Sequence, residues 1–360
     1  MRRKKTTTLK AWPREARKIF AMILGLCLIW VFIGGVKSQP ATASEQISAE
    51  VSRLKQLLPS LNLPEDEAKQ YSDGLARVET VLRSGRVLLS FYYLQAPHIN
   101  LMTYVYQKSK ADVAKQGREA FEAEWQKLGQ QLAAKEKLIT PESLENMTAA
   151  ARAITEAALG QVHPYYQSGR LYGLNTTFDN GLYYLGRAPA FQELALYSQQ
   201  LHLTPPHAAL KLRSLEPELS ALEAETLAAY QQSADKDLRP FITTNVTLKV
   251  AGELNQGKLY FGALLKYLDA SLALKLLKAT PPNEEQQAAL KKQHEAFGKQ
   301  LSLGKTDHSL GLIYWEMAQR ALQPAPEDTI GPEDLKRAAV VINEVLPRYF
   351  KVTAKVTPKS

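Results

Sequence analysis

The chain is predicted to be all-α: a multi-helix bundle or an irregular, solenoid-like helical-repeat array, preceded by an N-terminal apolar helix. Three observations carry this. Apolar residues recur at offsets of three and four through most of the 360 residues. Helix-start chemistry, a hydroxyl or proline followed by acids, opens one segment after another. Only residues 242–250, ITTNVTLKV, show partial period-two alternation with β-branched side chains. One strand makes no sheet, so that stretch is assigned to a loop or the start of a helix.

The first 18 residues form a basic cytoplasmic region carrying Arg2, Arg3, Lys4, Lys5, Lys10, Arg14, Arg17 and Lys18. Residues 19–36, IFAMILGLCLIWVFIGGV, then run without a charge. As a helix they rise about 27 Å, close to the roughly 30 Å hydrocarbon core of a bilayer. The positive flank stays in the cytoplasm. Two readings remain open, a retained single-pass anchor or the core of a signal peptide cleaved near Ala43, at Ala41-Thr42-Ala43. A run longer than a leader's usual ~7–15 residues favours the anchor, whereas Gly34-Gly35 shortens the helix and favours cleavage. Either places the rest of the chain, beyond a linker at 37–46, outside the cytoplasm, and the membrane is a partner through residues 19–36 if they are uncleaved.

The net charge of +9 belongs to this leading segment. Residues 1–43 hold nine Lys or Arg and one acid, Glu15, leaving 36 basic and 35 acidic side chains in the other 317 residues. The body is therefore nearly neutral and has no electrostatic footprint for nucleic acid. Cys27, the only cysteine, lies inside the apolar run, so disulfides cannot stabilise the body.

Two helical regions are expected, at 47–139 and 140–350, with a basic, disordered tail at 351–360. In the first, Ile47, Val51, Leu54 and Leu58 mark an amphipathic helix. Pro64 followed by Glu65, Asp66 and Glu67 starts a second, buried through Ala68, Tyr71, Leu75, Val78 and Leu82. Residues 87–106 turn apolar and aromatic and predict a core helix interrupted at Pro97-His98. Val113, Gly117, Phe121, Trp125, Leu128 and Leu132 give a further stripe.

In the second region, Thr140-Pro141-Glu142 predicts a helix start buried through Leu144, Met147, Ala151, Ile154 and Ala158. The threonine-proline signal returns at Thr204 and Thr280. That spacing suggests an internal repeat, because residues 181–206 match 257–282 at eight of 26 positions, including Gly181/Gly257, Tyr184/Tyr260 and Gly186/Gly262. Later stripes run through Leu290, Phe297 and Leu301, through Leu310, Tyr314, Met317 and Ala321, and through Leu335, Ala339, Ile342 and Leu346. The second copy superficially resembles the tetratricopeptide family, with Gly257, Tyr260 and Pro281 in register. Asp269 and Leu276 fall where that family needs small residues, and the 76-residue offset is not its period. Helical-repeat character is expected without family membership.

Catalytic and cofactor motifs are sparse. Residues 252–259, GELNQGKL, nearly spell a phosphate-binding loop but end on Leu259, which has no hydroxyl for Mg²⁺. The six histidines are scattered without metal-ligand spacing, so no metal or other cofactor is expected. One composition stands out: Tyr165, Tyr166, Arg170, Tyr172, Asn175, Asn180, Tyr183, Tyr184 and Arg187 crowd a short segment with four glycines. Tyrosine offers large contact area at low entropic cost, arginine and asparagine offer directional hydrogen bonds, and glycine permits tight loops. This mixture suits capture of a peptide or glycan, while the plainer alternative is a helix connection with tyrosines packed beneath it. The expectation is a noncatalytic protein that binds another protein or an envelope polymer. The alternative is an all-helical envelope enzyme acting on glycans or peptides.

Overall fold

The computed structural model describes residues 41–203, 208–233, 238–303 and 305–354. Among them the chain is all-helical, and the only extended pairing is a parallel bridge between Ala208 and Thr306. The apolar run at 19–36, the threonine-prolines at 204–206 and the tail at 355–360 lie outside the described residues. No helix of the described residues is long and apolar enough to cross a membrane.

Helix α1 (Ala43–Leu57) begins four residues before its periodic apolar face, because Thr42 and Glu45 form a capping box. Its Ile47, Val51 and Leu54 pack against α2 (Glu65–Arg83) and α3 (Val87–Ser109). The expected break at Pro97-His98 is absent, since α3 runs straight through. Proline forfeits one backbone bond there, but Leu94, Pro97, His98, Ile99 and Leu101 are all buried, and that packing holds the helix together. Gly117, expected in a buried stripe, instead adopts φ 88° and divides α4 (Ala111–Gln116) from α5 (Arg118–Glu136).

The single helix expected from Thr140 is two. After α6 (Pro141–Glu145), Thr148 caps α7 (Ala149–Asn175), and its first amides are taken up by Asp307 and Ser309 at 2.6 and 2.9 Å. Helix α7 turns at Thr176-Thr177 into α8 (Phe178–Gln200), and this antiparallel hairpin is the centre of the fold. The two backbones touch: a Cβ on Gly181 would lie 2.4 Å from the Gly173 Cα, and one on Gly169 would lie 2.7 Å from the Leu185 amide nitrogen. These glycines, expected to serve loops, lie inside helices and permit close approach.

Helix α9 (Glu216–Gln232) precedes α10 (Arg239–Gln256), which absorbs the β-branched stretch 242–250. Helix α11 (Tyr260–Leu276) packs on α10 and α7, while α3 packs on α8. Helices α12 (Glu284–Leu303) and α13 (Ser309–Leu322) follow, then α14 (Pro332–Val340), which passes through a π turn (Val341–Val345) into α15 (Leu346–Ala354). The first four residues of the expected disordered tail are thus helical. In the two matched segments, α8 starts three residues before Gly181 and α11 three residues after Gly257. Their matched glycines Gly186 and Gly262 nonetheless both abut a neighbouring backbone, at Thr103 O and Ala157 N.

Helix α3 is held at its first turn by Glu316 of α13, whose Oε2 accepts the Leu89 amide at 2.7 Å. Burial raises this carboxyl to about 7, against the opposing pull of the Leu89 amide and Arg86. Because the folded pKa exceeds the ordinary 4.5, the associated stability is complete below about pH 4.5 and lost as pH rises through 7. Glu316→Gln keeps an acceptor for Leu89 without the charge. Thermal unfolding is expected to fall for the wild type between pH 5 and pH 8 but to stay nearly level for the variant; parallel pH profiles would refute the assignment.

Candidate functional site

The tyrosine-rich segment is almost wholly helical, which sorts its side chains by helix face rather than pooling them in a loop. Tyr165 and Tyr172 lie seven residues apart on α7, and Tyr184, Arg187 and Phe191 share one face of α8. Facing one another, they form a row of stacked rings: Tyr172 on Tyr184 at 4.1 Å, Tyr184 near Tyr165 at 6.4 Å, and Tyr165 on Phe191 at 5.3 Å. Tyr183 meets Tyr184 and Tyr104 edge-on. Burial, reinforced by Tyr172, raises the Tyr184 phenol above its ordinary value.

Arg187 is set into this row. Its guanidinium lies 4.7 Å from the Tyr165 ring centre and 5.7 Å from that of Phe191, and it donates to the Tyr183 hydroxyl at 3.3 Å. It forms no ion pair among the described residues, and its Nε is buried without a hydrogen-bond partner.

The other expected residues lie elsewhere. Tyr166 and Arg170 point to the opposite side, where Tyr166 stacks on Trp125 at 5.1 Å and donates to its carbonyl, and Arg170 covers the same indole at 4.8 Å. Asn175 donates to the Leu171 carbonyl, and the Asn180 amide is taken up by Thr177 at 3.2 Å. Both asparagines therefore shape the α7–α8 turn. Tyr165, Tyr172, Tyr183, Tyr184 and Arg187 are brought together; the remaining four are not.

Beside Arg187 opens a cleft of about 470 Å³ between α3, α7, α8, α10 and α11, within the size range of small-molecule sites. Ile99, Ala157, Ala158, Leu194 and Val250 supply apolar walls, and Arg187, Lys266 and Asp269 supply the charges. Asp269 Oδ1 accepts the hydroxyls of Tyr92 and Tyr314 at 2.7 and 2.9 Å, and Oδ2 lies 3.5 Å from Lys266 Nζ. Burial first, then Asp269, pushes both phenols well above their ordinary range, so both remain donors. Lys266, Asp269, Tyr92 and Tyr93 were not picked out from the sequence as site residues. The available signal was polarity out of place, since Lys266 and Asp269 interrupt the otherwise apolar YFGALLKYLDASLAL.

The cleft contains a single carboxylate, already held by three partners, and no histidine. His98 is buried elsewhere against Glu50 at 2.8 Å. Burial opposes ionisation of Glu50, but hydrogen bonds from His98 and Arg53 outweigh it and lower the carboxyl's pKa. Among the described residues no group of three or more His, Cys, Asp or Glu is arranged to hold a metal. The phosphate-loop look-alike at 252–259 forms the last turn of α10 and the bend after it. The amides that follow, those of Phe261 and Gly262, are bound by the Glu156 carboxylate. No family model, curated protein or solved structure matches the chain.

Proposed function

We propose that this is an exported protein, tethered by residues 19–36 or released by cleavage near Ala43, that binds another protein or a cell-envelope polymer without transforming it. Its recognition surface is the tyrosine-arginine face of α7 and α8 together with the adjoining cleft. The observation that carries this reading is Arg187, a cation lying against the Tyr165 and Phe191 rings at the cleft wall and left without a carboxylate. Guanidinium stacked on aromatic rings and held ready for an acceptor suits recognition better than proton transfer. As an architecture, a bundle wrapped around the α7–α8 hairpin is favoured over an open array, because a large core draws on helices from α1 to α15 and a smaller one seats α5 against the same hairpin. The second reading, an envelope enzyme acting on glycans or peptides, would need converging acids or histidines, and the cleft offers only the engaged Asp269.

The joint variant Tyr183→Ala, Tyr184→Ala and Arg187→Ala tests the proposal. Capture of a partner from envelope extracts is expected to fall at least about tenfold, roughly 1.4 kcal/mol or more, with circular dichroism unchanged. Loss of the fold would instead assign these side chains to the core. Release of soluble fragments from envelope polymer by the wild type would favour the enzyme.

A further inference from the structure

The cleft and its surroundings point to a ligand class. We propose that it binds a single-chain anionic amphiphile, with a carboxylate or phosphate head on Arg187 and an aliphatic chain laid along α10. This rests on the reading of the cleft as a binding site and narrows it.

Charge gives the first argument. The cleft holds two cations and one acid, and Asp269 is committed to Lys266, Tyr92 and Tyr314. Arg187 is thus the uncompensated charge, in an environment where a fork of N–H donors binds a carboxylate or phosphate strongly.

The second argument is a row of apolar side chains, three of them exposed and the last, Val250, half-buried. Leu238, the residue that caps α10, and Ile242, Val246 and Val250 within it follow one another four residues apart, and a row of that spacing spans about 18 Å. Ile242 is 56% exposed and Val246 57% exposed. Val246 and Val250 line the cleft, and Leu238 and Ile242 line a second apolar groove of about 560 Å³ between α9 and α10. The row therefore joins two apolar hollows and passes from open surface to a half-buried cation. A soluble domain leaves such a strip bare only where something covers it. Gln95, Asn100, Gln161 and Thr247 also line the cleft and can seat a polar head, while Ala157, Ala158, Leu194 and Val250 offer a tail no hydrogen-bonding side chain to desolvate. An aliphatic tail ending in an anion matches both features.

The test uses the full chain in lipid nanodiscs, photolabelled with diazirine-bearing dodecanoate and competed with decanoate, decyl phosphate or decanol. Labelling is expected on α10 and the cleft walls and to be competed by the two anions but not by decanol. The stronger competitor tells a fatty acid from a phospholipid-type head. Arg187→Gln is expected to reduce labelling about tenfold, Arg187→Lys to keep most of it, and Ala96→Trp, which fills the cleft from an exposed position, to block it. Equal competition by decanol, or labelling untouched by Arg187→Gln and Ala96→Trp, would overturn the proposal and assign the α10 row to contact with the bilayer itself. Absence of labelling while Arg187→Gln still abolishes capture of an envelope partner would overturn the amphiphile and leave the broader binding reading standing.

Discussion

Replacing Glu156 by alanine is expected to cost about 3–5 kcal/mol of stability, the range found when one partner of a buried charge pair is removed. The side chain is fully buried in the middle of α7. One oxygen accepts the amides of Phe261 and Gly262, at 2.8 and 3.0 Å, which start α11, and the other accepts Arg152 Nε at 2.7 Å. Arg152 in turn covers the Phe261 ring at 4.4 Å. Alanine would strand two buried N–H groups and a half-buried guanidinium together. No backbone shift can close the gap, because α11 already presses on α7: a Cβ on Gly262 would lie 2.7 Å from the Ala157 nitrogen. Glutamine keeps an acceptor and is expected to cost less, about 1–2 kcal/mol. Urea unfolding of the two variants measures both, and a Glu156→Ala loss below about 1 kcal/mol would refute the account. Helix α11 carries Lys266 and Asp269, so this variant is also expected to lose the cleft.

Glu156 shows where sequence reading reaches its limit. Helical periodicity made the all-helical fold legible, because a row such as Ile47, Val51 and Leu54 has the same spacing whatever it packs against. Helix ends were less legible. Thr140-Pro141 and Thr42-Glu45 are both sound caps, yet the long helix starts at Thr148, which caps Ala151 locally while Asp307 and Ser309 take up the first amides from far along the chain. Pro97 carries a local penalty that burial of its neighbours overrides. Glycines are ambiguous in the same way: Gly117 does occupy a left-handed bend, whereas Gly173 and Gly181 serve a helix crossing visible only once both helices are placed.

The candidate site divides along the same line. Arg187 and the tyrosines could be found by composition, because crowding of aromatic and guanidinium groups is a local property. Which of them cooperate depends on helical phase, and once α7 is a helix, Tyr165 and Tyr166 must face different neighbours. Lys266 and Asp269 reach Arg187's cleft from a helix some eighty residues further along the chain, and nothing local announces that meeting.

Asp328→Ala is the other change expected to cost about 3–5 kcal/mol. The loop after α13, where Pro324 and Pro326 suggest a mere separator, folds back onto the start of α3. Asp328 Oδ2 accepts Arg86 Nη1 at 2.7 Å and the Ala325 amide at 3.0 Å, while Oδ1 accepts Arg320 Nε at 3.0 Å. The Asp328 side chain is wholly buried and that of Arg86 nearly so. Burial alone would raise the Asp328 carboxyl, but the Ala325 amide and Arg86 outweigh it, so its pKa is lowered. The stability it contributes is therefore present above the ordinary carboxylate range and lost as pH falls through the lowered value. Alanine strands Arg86, whereas Arg320 keeps Asp334 at 3.0 Å, and the penalty comes mainly from the uncompensated charge of Arg86. Adding Arg86→Met to Asp328→Ala is expected to restore about 1 kcal/mol or more, since an apolar replacement of the same length removes the stranded charge. A double variant no more stable than Asp328→Ala would show that lost loop contacts dominate instead. Arg86 precedes the helix that brings Tyr92, Tyr93 and Ile99 to the cleft, so ligand capture by Asp328→Ala should fall in step with its folded fraction. Arg187→Gln should lose capture while fully folded, and that contrast separates the scaffold of the site from the group that recognises.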